Sequence, residues 1–126
     1  MSKILIRLVS LYLWWFVIVF IFALLQSSSF LAPGTFLGDF LIRQPYQWDF
    51  ELMFTTLFFI WGIFLWKAST KINENRTLII FSAWAFLTHG VVFIIIGLIQ
   101  SNILVHAITD SLGWLAASTL LFRSLK

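Results

Sequence analysis

Residues 78–99 read LIIFSAWAFLTHGVVFIIIGLI, and His89 is the only ionisable side chain among them. An α-helix rises about 1.5 Å per residue, so a helix over this run would be about 33 Å long. The hydrocarbon core of a bilayer is about 30 Å thick. Residues 78–99 therefore predict one membrane-spanning helix.

Three further apolar runs predict three more spanning helices, at residues 8–25, 50–66 and 103–122. The last run is the weakest of the four, because it contains Asp110. A carboxylate near the centre of a spanning helix costs about 2.5–3.5 kcal/mol on the insertion scale, so neighbouring helices have to support it. The chain is thus predicted to be all-α, with one four-helix transmembrane bundle over residues 1–126.

The overall composition points the same way. Hydrophobic residues make up 61% of the 126 residues and charged residues 10%, whereas a soluble domain has about 25% charged residues. The chain has no cysteine, which excludes disulfide scaffolds, thiolate metal sites and iron–sulfur clusters. The net charge of +3 does not indicate nucleic-acid binding, because the basic residues flank the apolar runs and form no patch.

The basic residues also predict an orientation. With both termini in the cytoplasm, seven of the eight lie on the inner side, namely Lys3, Arg7, Lys67, Lys71, Arg76, Arg123 and Lys126. Only Arg43 lies outside, which is the bias that the positive-inside rule describes. The first run exceeds the ~7–15 apolar residues of a signal peptide, so we expect an uncleaved span. The predicted location is the bacterial inner membrane, with cytoplasmic N- and C-termini.

Two connections add detail to this topology. The turn at residues 100–102 is very short, so the third and fourth spans must be antiparallel neighbours. The first outer loop is long, and its apolar residues between the two prolines fall on one helical face. That pattern predicts a short amphipathic segment over residues 35–43 that lies in the membrane interface.

Four ionisable residues lie within or at the edge of the predicted spans: Glu51, His89, His106 and Asp110. Counted at ~1.5 Å per residue from the outer helix ends, they lie about 2, 15, 5 and 10 Å deep, which is the outer half or the midplane. Lipid offers no hydrogen bonds, so we expect them to share one polar pocket open to the outer face. Residues 35–43 would cover this pocket, and Trp84 would line it or stack on a flat ligand.

Less specific interpretations of the same residues stay open. A hydrogen bond between His89 and Asp110 could have the structural role of joining two helices. The Glu51 carboxylate could cap the first turn of its helix, where a negative charge interacts favourably with the helix dipole. On the fourth span, Gly113 and Ala117 continue the face of His106 and Asp110, so that face can approach another backbone closely.

A metal site is a further hypothesis. Glu51, His89, His106 and Asp110 match the ligand types of zinc or non-haem iron, although neither an H-E-x-x-H nor an E-x-x-H pattern occurs. A haem between two histidines is excluded, because His89 and His106 differ in predicted depth by about 10 Å.

Several motifs resemble a bacterial family of small four-span proteins of unknown function that is broadly similar to DoxX-like membrane proteins. They are Glu51-Leu52-Met53, Gly62 with Phe64-Leu65, Arg76-x-Leu78-Ile79-x-Phe81-Ser82-Ala83-Trp84, His89, and His106-x-x-x-Asp110. The resemblance covers the chain from Trp48 to the C-terminus. It implies the four-span fold and supplies no reaction, and the cofactor stays unknown. The characteristic residue set that it implies is Glu51, Arg76, Trp84, His89, His106 and Asp110.

Three functions are compatible with these observations. The first is a binding module or accessory subunit that holds a lipophilic ligand or a metal in the outer-side pocket through Glu51, Trp84, His89, His106 and Asp110. The second is a membrane enzyme, redox or acid/base, acting on a quinone-like or lipid-like substrate. The third is a structural subunit of a larger membrane complex. The expected partners are membrane lipid, a small lipophilic molecule, and further copies of the chain or other subunits.

Overall fold

The computed structural model describes residues 2–24, 48–100 and 104–126, and this part of the chain contains four α-helices and no strand. They are α1 (Ser2–Leu24), α2 (Trp48–Ala68), α3 (Arg76–Ile99) and α4 (Leu104–Ser124). The four predicted helices are confirmed. Both ends of each helix lie within a few residues of the ends of its apolar run, except that α1 begins at Ser2, well before residue 8. The predicted interfacial segment at 35–43 lies outside the described residues.

The four helices form two antiparallel pairs. The most extensive packing joins α3 to α4, and the next joins α1 to α2. The pairs meet mainly where α1 packs on α4, while α2 and α3 touch only briefly. The predicted antiparallel pairing of the third and fourth helices is confirmed, because the earlier residue Trp84 of α3 contacts Phe122 of α4 while the later residue His89 contacts Trp114.

Glycines allow close approach within both pairs. A Cβ atom at Gly90 on α3 would lie 3.2 Å from the Ser111 carbonyl oxygen of α4. A Cβ atom at Gly62 on α2 would collide with the Trp14 indole of α1. Small residues at such positions let helix backbones approach one another and improve van der Waals packing.

Polar side chains link neighbouring helices inside the bundle. The Ser118 hydroxyl of α4 donates to the Ala83 carbonyl of α3 over 2.8 Å. The Trp61 indole N–H of α2 donates to the Ser82 hydroxyl of α3, also over 2.8 Å. Both serines are buried, and these bonds satisfy polar groups that the apolar interior would otherwise leave without partners.

One end of the bundle collects the basic residues. The Arg7 guanidinium at the start of α1 bonds to Ser69 just after α2, and Arg76 at the start of α3 donates to the Leu125 carbonyl just after α4. The seven basic residues predicted for the inner side all lie in these segments. We call this the basic end of the bundle.

Within the described residues, two helical segments are long and apolar enough to cross a membrane, judged by length and composition. They are Ser2–Ile21 and Arg76–Ile99. The apolar part of α2, Leu52–Ala68, is shorter. The two qualifying segments match the first and third of the four predicted spans.

Candidate functional site

Trp114 of α4 is the centre of the bundle interior. Its side chain is 1% exposed. Five rings surround it at centroid distances of 4.7–5.4 Å, and they belong to Tyr12, Phe16, Phe58, Phe86 and His89. These rings come from all three other helices, so the two helix pairs are in contact at Trp114.

The indole N–H of Trp114 has no hydrogen-bond partner in the described part of the chain, although it is fully buried. Two other tryptophans differ in this respect. The Trp61 indole donates to Ser82, and the Trp14 indole donates to the Phe59 carbonyl over 3.2 Å. A buried donor without a partner costs about 1–3 kcal/mol. Trp114 therefore offers a donor, in an apolar interior, to any acceptor atom that reaches it.

The phenol of Tyr12 lies beside Trp114. The two rings meet edge to face at 5.4 Å. A Cβ atom at position 113 would collide with the Tyr12 hydroxyl, so Gly113 is what allows the phenol to lie on the backbone of α4. The sequence predicted that another backbone could approach this face closely, whereas the group that approaches Gly113 is the side chain of Tyr12.

Asp110 adds a carboxylate one helical turn before Trp114. It is half-buried and interacts electrostatically with Tyr12. The phenol of α1 thus lies near both a carboxylate and an indole of α4. In a low-dielectric interior such polar groups interact more strongly than they do in water.

His89 of α3 contacts Trp114 from another helix. Its ring meets Trp114 edge to face at 4.7 Å and also packs against Phe93 at 4.8 Å. The imidazole is half-buried. Neutral imidazole carries one donor and one acceptor nitrogen, so it can bind a polar group of either kind.

We call Tyr12, His89, Asp110 and Trp114 the Trp114 cluster. Together they offer an indole donor, a phenol, an imidazole and a carboxylate, and three phenylalanine rings pack on the indole. Apolar walls with a few convergent polar groups are typical of small-molecule sites. The arrangement suits a lipophilic molecule with one polar group more than it suits a charged solute.

The structure places three of the five predicted site residues. His89 contacts Trp114, and Asp110 precedes Trp114 by one helical turn and interacts electrostatically with Tyr12. Trp84 is 57% exposed, and its ring packs edge to face on Phe122 instead of on a ring of the Trp114 cluster. The contacts of Trp84 therefore give no support to its predicted role in lining the same site.

Glu51 and His106 lie on α2 and α4, but their side chains are outside the described part of the structure. Among the described side chains, no three of the residue types His, Cys, Asp and Glu come together as a metal site would require. Of the four candidate metal ligands, only His89 and Asp110 are placed, so the metal hypothesis stays a prediction.

Sequence reasoning missed Tyr12 and did not connect Trp114 with the histidine and the aspartate. Tyr12 lies in an apolar run with no charged neighbour within four residues, so its own surroundings carry no signal of a site. The available signal was on α4, where Gly113 and Trp114 follow Asp110 by about one turn. At that spacing, Gly113, where another group can approach the helix closely, and the indole N–H donor of Trp114 lie one turn from the Asp110 carboxylate.

No family model, curated protein or solved structure matches the chain. The resemblance to DoxX-like proteins therefore stays a prediction from the sequence motifs.

Proposed function

We propose that the protein is an integral membrane protein whose four helices cross the bacterial inner membrane. The exposed side chains support this proposal. In each of the two most apolar helical segments only 28% of the residues are buried in the bundle, whereas the core helix of a soluble protein would be mostly buried. Leu98 and Ile99 are 75% and 76% exposed. Contiguous apolar surface of this kind suits lipid contact.

The basic end supports an orientation with both termini in the cytoplasm. Seven of the eight basic residues lie in the segments that meet there. Positively charged residues close to span ends stay in the cytoplasm in most membrane proteins. In this orientation the Trp114 cluster lies near the middle of the bilayer, since Tyr12 follows the start of α1 by about 15 Å of helix.

Within the membrane, we infer that the protein binds a small lipophilic ligand at the Trp114 cluster and acts as a binding module or accessory subunit. The observation that carries this inference is the buried, unpartnered indole N–H of Trp114. Indole N–H is a donor only, so its partner must bring an acceptor such as a carbonyl or ether oxygen. Tyr12, His89 and Asp110 can bind further polar atoms of the same ligand.

The test is to identify what copurifies with the protein. The full chain is purified in a mild detergent, and its organic extract is analysed by liquid chromatography and mass spectrometry, together with its metal content. We expect a lipophilic molecule in stoichiometric amount with the wild type. Trp114→Phe should lose it, because phenylalanine keeps an apolar ring at this position but has no N–H.

Trp15→Phe is the matched control, because Trp15 is exposed on α1 and contacts no ring of the Trp114 cluster among the described residues. This variant should retain the molecule. The proposal is wrong if the two variants retain it equally, or if the wild type brings no organic molecule above the level of bulk lipid. A stoichiometric metal that both tryptophan variants retain would favour the metal hypothesis instead.

A further inference from the structure

We propose that the basic end of the bundle contains a specific site for the phosphate of an anionic phospholipid, centred on Arg7. This proposal rests on the proposed membrane location but not on a ligand at the Trp114 cluster. Its basis is the way α1 and α2 hold the Arg7 guanidinium, which differs from an ordinary exposed cation.

Two contacts fix the guanidinium of Arg7. Its carbon atom lies 4.5 Å from the ring centroid of Trp66, over the face of the indole. Its Nε–H donates to the Ser69 hydroxyl over 3.3 Å, and that hydroxyl donates to the Trp66 carbonyl over 2.7 Å. Stacking sets the plane of the guanidinium and the hydrogen bond sets its direction, so little side-chain entropy is left to lose on binding.

The terminal amino groups of Arg7 stay available for a ligand. They make no hydrogen bond within the described residues. The ion pair in this part of the chain joins Lys71 to Glu74 at 3.1 Å and does not involve Arg7. A guanidinium presents its N–H groups as a planar fork that matches two oxygens of a phosphate. Arg7 is therefore a preorganised anion receptor, and no carboxylate of the described part of the chain is paired with it.

The surroundings of Arg7 favour an anion. Lys3 lies one helical turn before Arg7 on α1, and Lys67 follows Trp66 directly on α2, and both are exposed. In the described part of the basic end, the acidic residue is Glu74, and it forms an ion pair with Lys71. Within the described residues, no ion pair neutralises the positive charge of Arg7.

The surface next to Arg7 favours a lipid over free phosphate. Leu11 follows Arg7 by one turn on the same face of α1 and is exposed. On α2, Phe59 is exposed as well, and the rings of Trp14 and Trp66 stack at 5.5 Å. Tryptophan is enriched at membrane–water interfaces. A phospholipid can place its phosphate on Arg7 while its acyl chains lie along this apolar strip.

The experiment measures lipid binding to the full chain in detergent by native mass spectrometry at 0.15 M ionic strength. The probes are phosphatidylglycerol, phosphatidylcholine and inorganic phosphate. We expect phosphatidylglycerol to bind more tightly than phosphatidylcholine, whose own ammonium offsets its phosphate. Arg7→Gln should weaken phosphatidylglycerol binding about tenfold, as expected for the loss of a charge-assisted hydrogen-bonded pair.

Arg123→Gln is the matched control, because it removes the same charge from the same end but from α4. It should change binding by less than about twofold, since salt screens an exposed charge. Arg7→Lys keeps the charge and is used in case Arg7→Gln does not fold. It should still bind more weakly than wild type, because an ammonium cannot form the two-point contact.

Four results would overturn the proposal. They are an equal loss in Arg7→Gln and Arg123→Gln, wild-type binding by Arg7→Lys, equal binding of the two lipids, and displacement of the lipid by inorganic phosphate. Sodium carbonate extraction of membranes tests the membrane location separately. Release of the chain by carbonate would overturn both proposals, whereas retention together with any of the four results would overturn only the lipid site.

Discussion

The rings of His89 and Trp114 meet edge to face, with their centroids 4.7 Å apart. Tyr12 meets the same indole edge to face at 5.4 Å. Such aromatic contacts contribute about 0.5–1.5 kcal/mol each beyond the burial of their area. They hold the rings of Tyr12 and His89 against the indole of Trp114, whose N–H is buried and has no partner in the described part of the chain.

The contact between Gly113 and Tyr12 should be sensitive to a single methyl group. We expect Gly113→Ala to lower the free energy of unfolding by about 1–3 kcal/mol, because the added Cβ collides with the Tyr12 hydroxyl. Unfolding by SDS titration in mixed micelles measures this change. In a Tyr12→Phe background the same substitution should cost less, because the closest atom is gone. Equal costs in both backgrounds would contradict the contact.

The hydrogen bond between Trp61 and Ser82 should matter to the contact of α2 with α3. Ser82→Ala leaves the Trp61 N–H without its 2.8 Å acceptor, so we expect a loss of about 1 kcal/mol in the free energy of unfolding. Thr119→Ala is the control, because the Thr119 hydroxyl is exposed and, among the described residues, bonds only to the Leu115 carbonyl of its own helix. A loss of similar size in the control would show that the Trp61 bond has no special role.

Asp110 should be needed for ligand binding more than for membrane insertion. Replacing it with leucine makes insertion of α4 more favourable by about 3–4 kcal/mol on the insertion scale. We therefore expect Asp110→Leu and Asp110→Asn to accumulate in the membrane, but Asp110→Leu to lose the copurifying molecule. Immunoblots of membrane fractions and mass spectrometry of extracts measure the two effects. If Asp110→Leu protein does not accumulate, Asp110 is structural instead.

The helices could be predicted from the sequence because hydropathy is a local property. The run at 78–99 is apolar along its whole length, so no knowledge of its neighbours was needed to place α3. The same held for α4, although Asp110 weakened its apolar pattern. The short turn at 100–102 also predicted the pairing of α3 with α4, because so few residues allow no other arrangement.

The composition of the Trp114 cluster could not be predicted in the same way. Tyr12 reaches Trp114 only because α1 packs on α4, and a linear pattern does not say which non-sequential helices touch. The exposure of Trp84 could not be predicted for a related reason. In an apolar helix the exposed and interior positions have the same composition, so the position of Trp84 beside Phe122 left no periodic signal.

The orientation in the membrane can be tested with single cysteines, because the chain has none of its own. We expect Lys71→Cys and Lys126→Cys to react with a membrane-impermeant maleimide only from the cytoplasmic side. Arg43→Cys should react only from the outside. Intact cells and inverted vesicles provide the two sides. Cytoplasmic labelling of Arg43→Cys, or external labelling of Lys71→Cys, would contradict the proposed topology.

The indole N–H resonance of Trp114 reports on ligand binding at the site itself. The protein is labelled with ¹⁵N-tryptophan, and Trp114→Phe and Trp61→Phe assign the two resonances by their disappearance. Spectra are compared before and after exhaustive detergent washing that removes copurified lipophilic molecules. We expect the Trp114 resonance to move on washing and to return when the extract is added back, because its N–H loses and regains an acceptor. The Trp61 resonance should stay in place, because Ser82 remains bonded to it. A Trp114 resonance that does not move, or that moves only together with Trp61, would contradict a ligand at the Trp114 cluster.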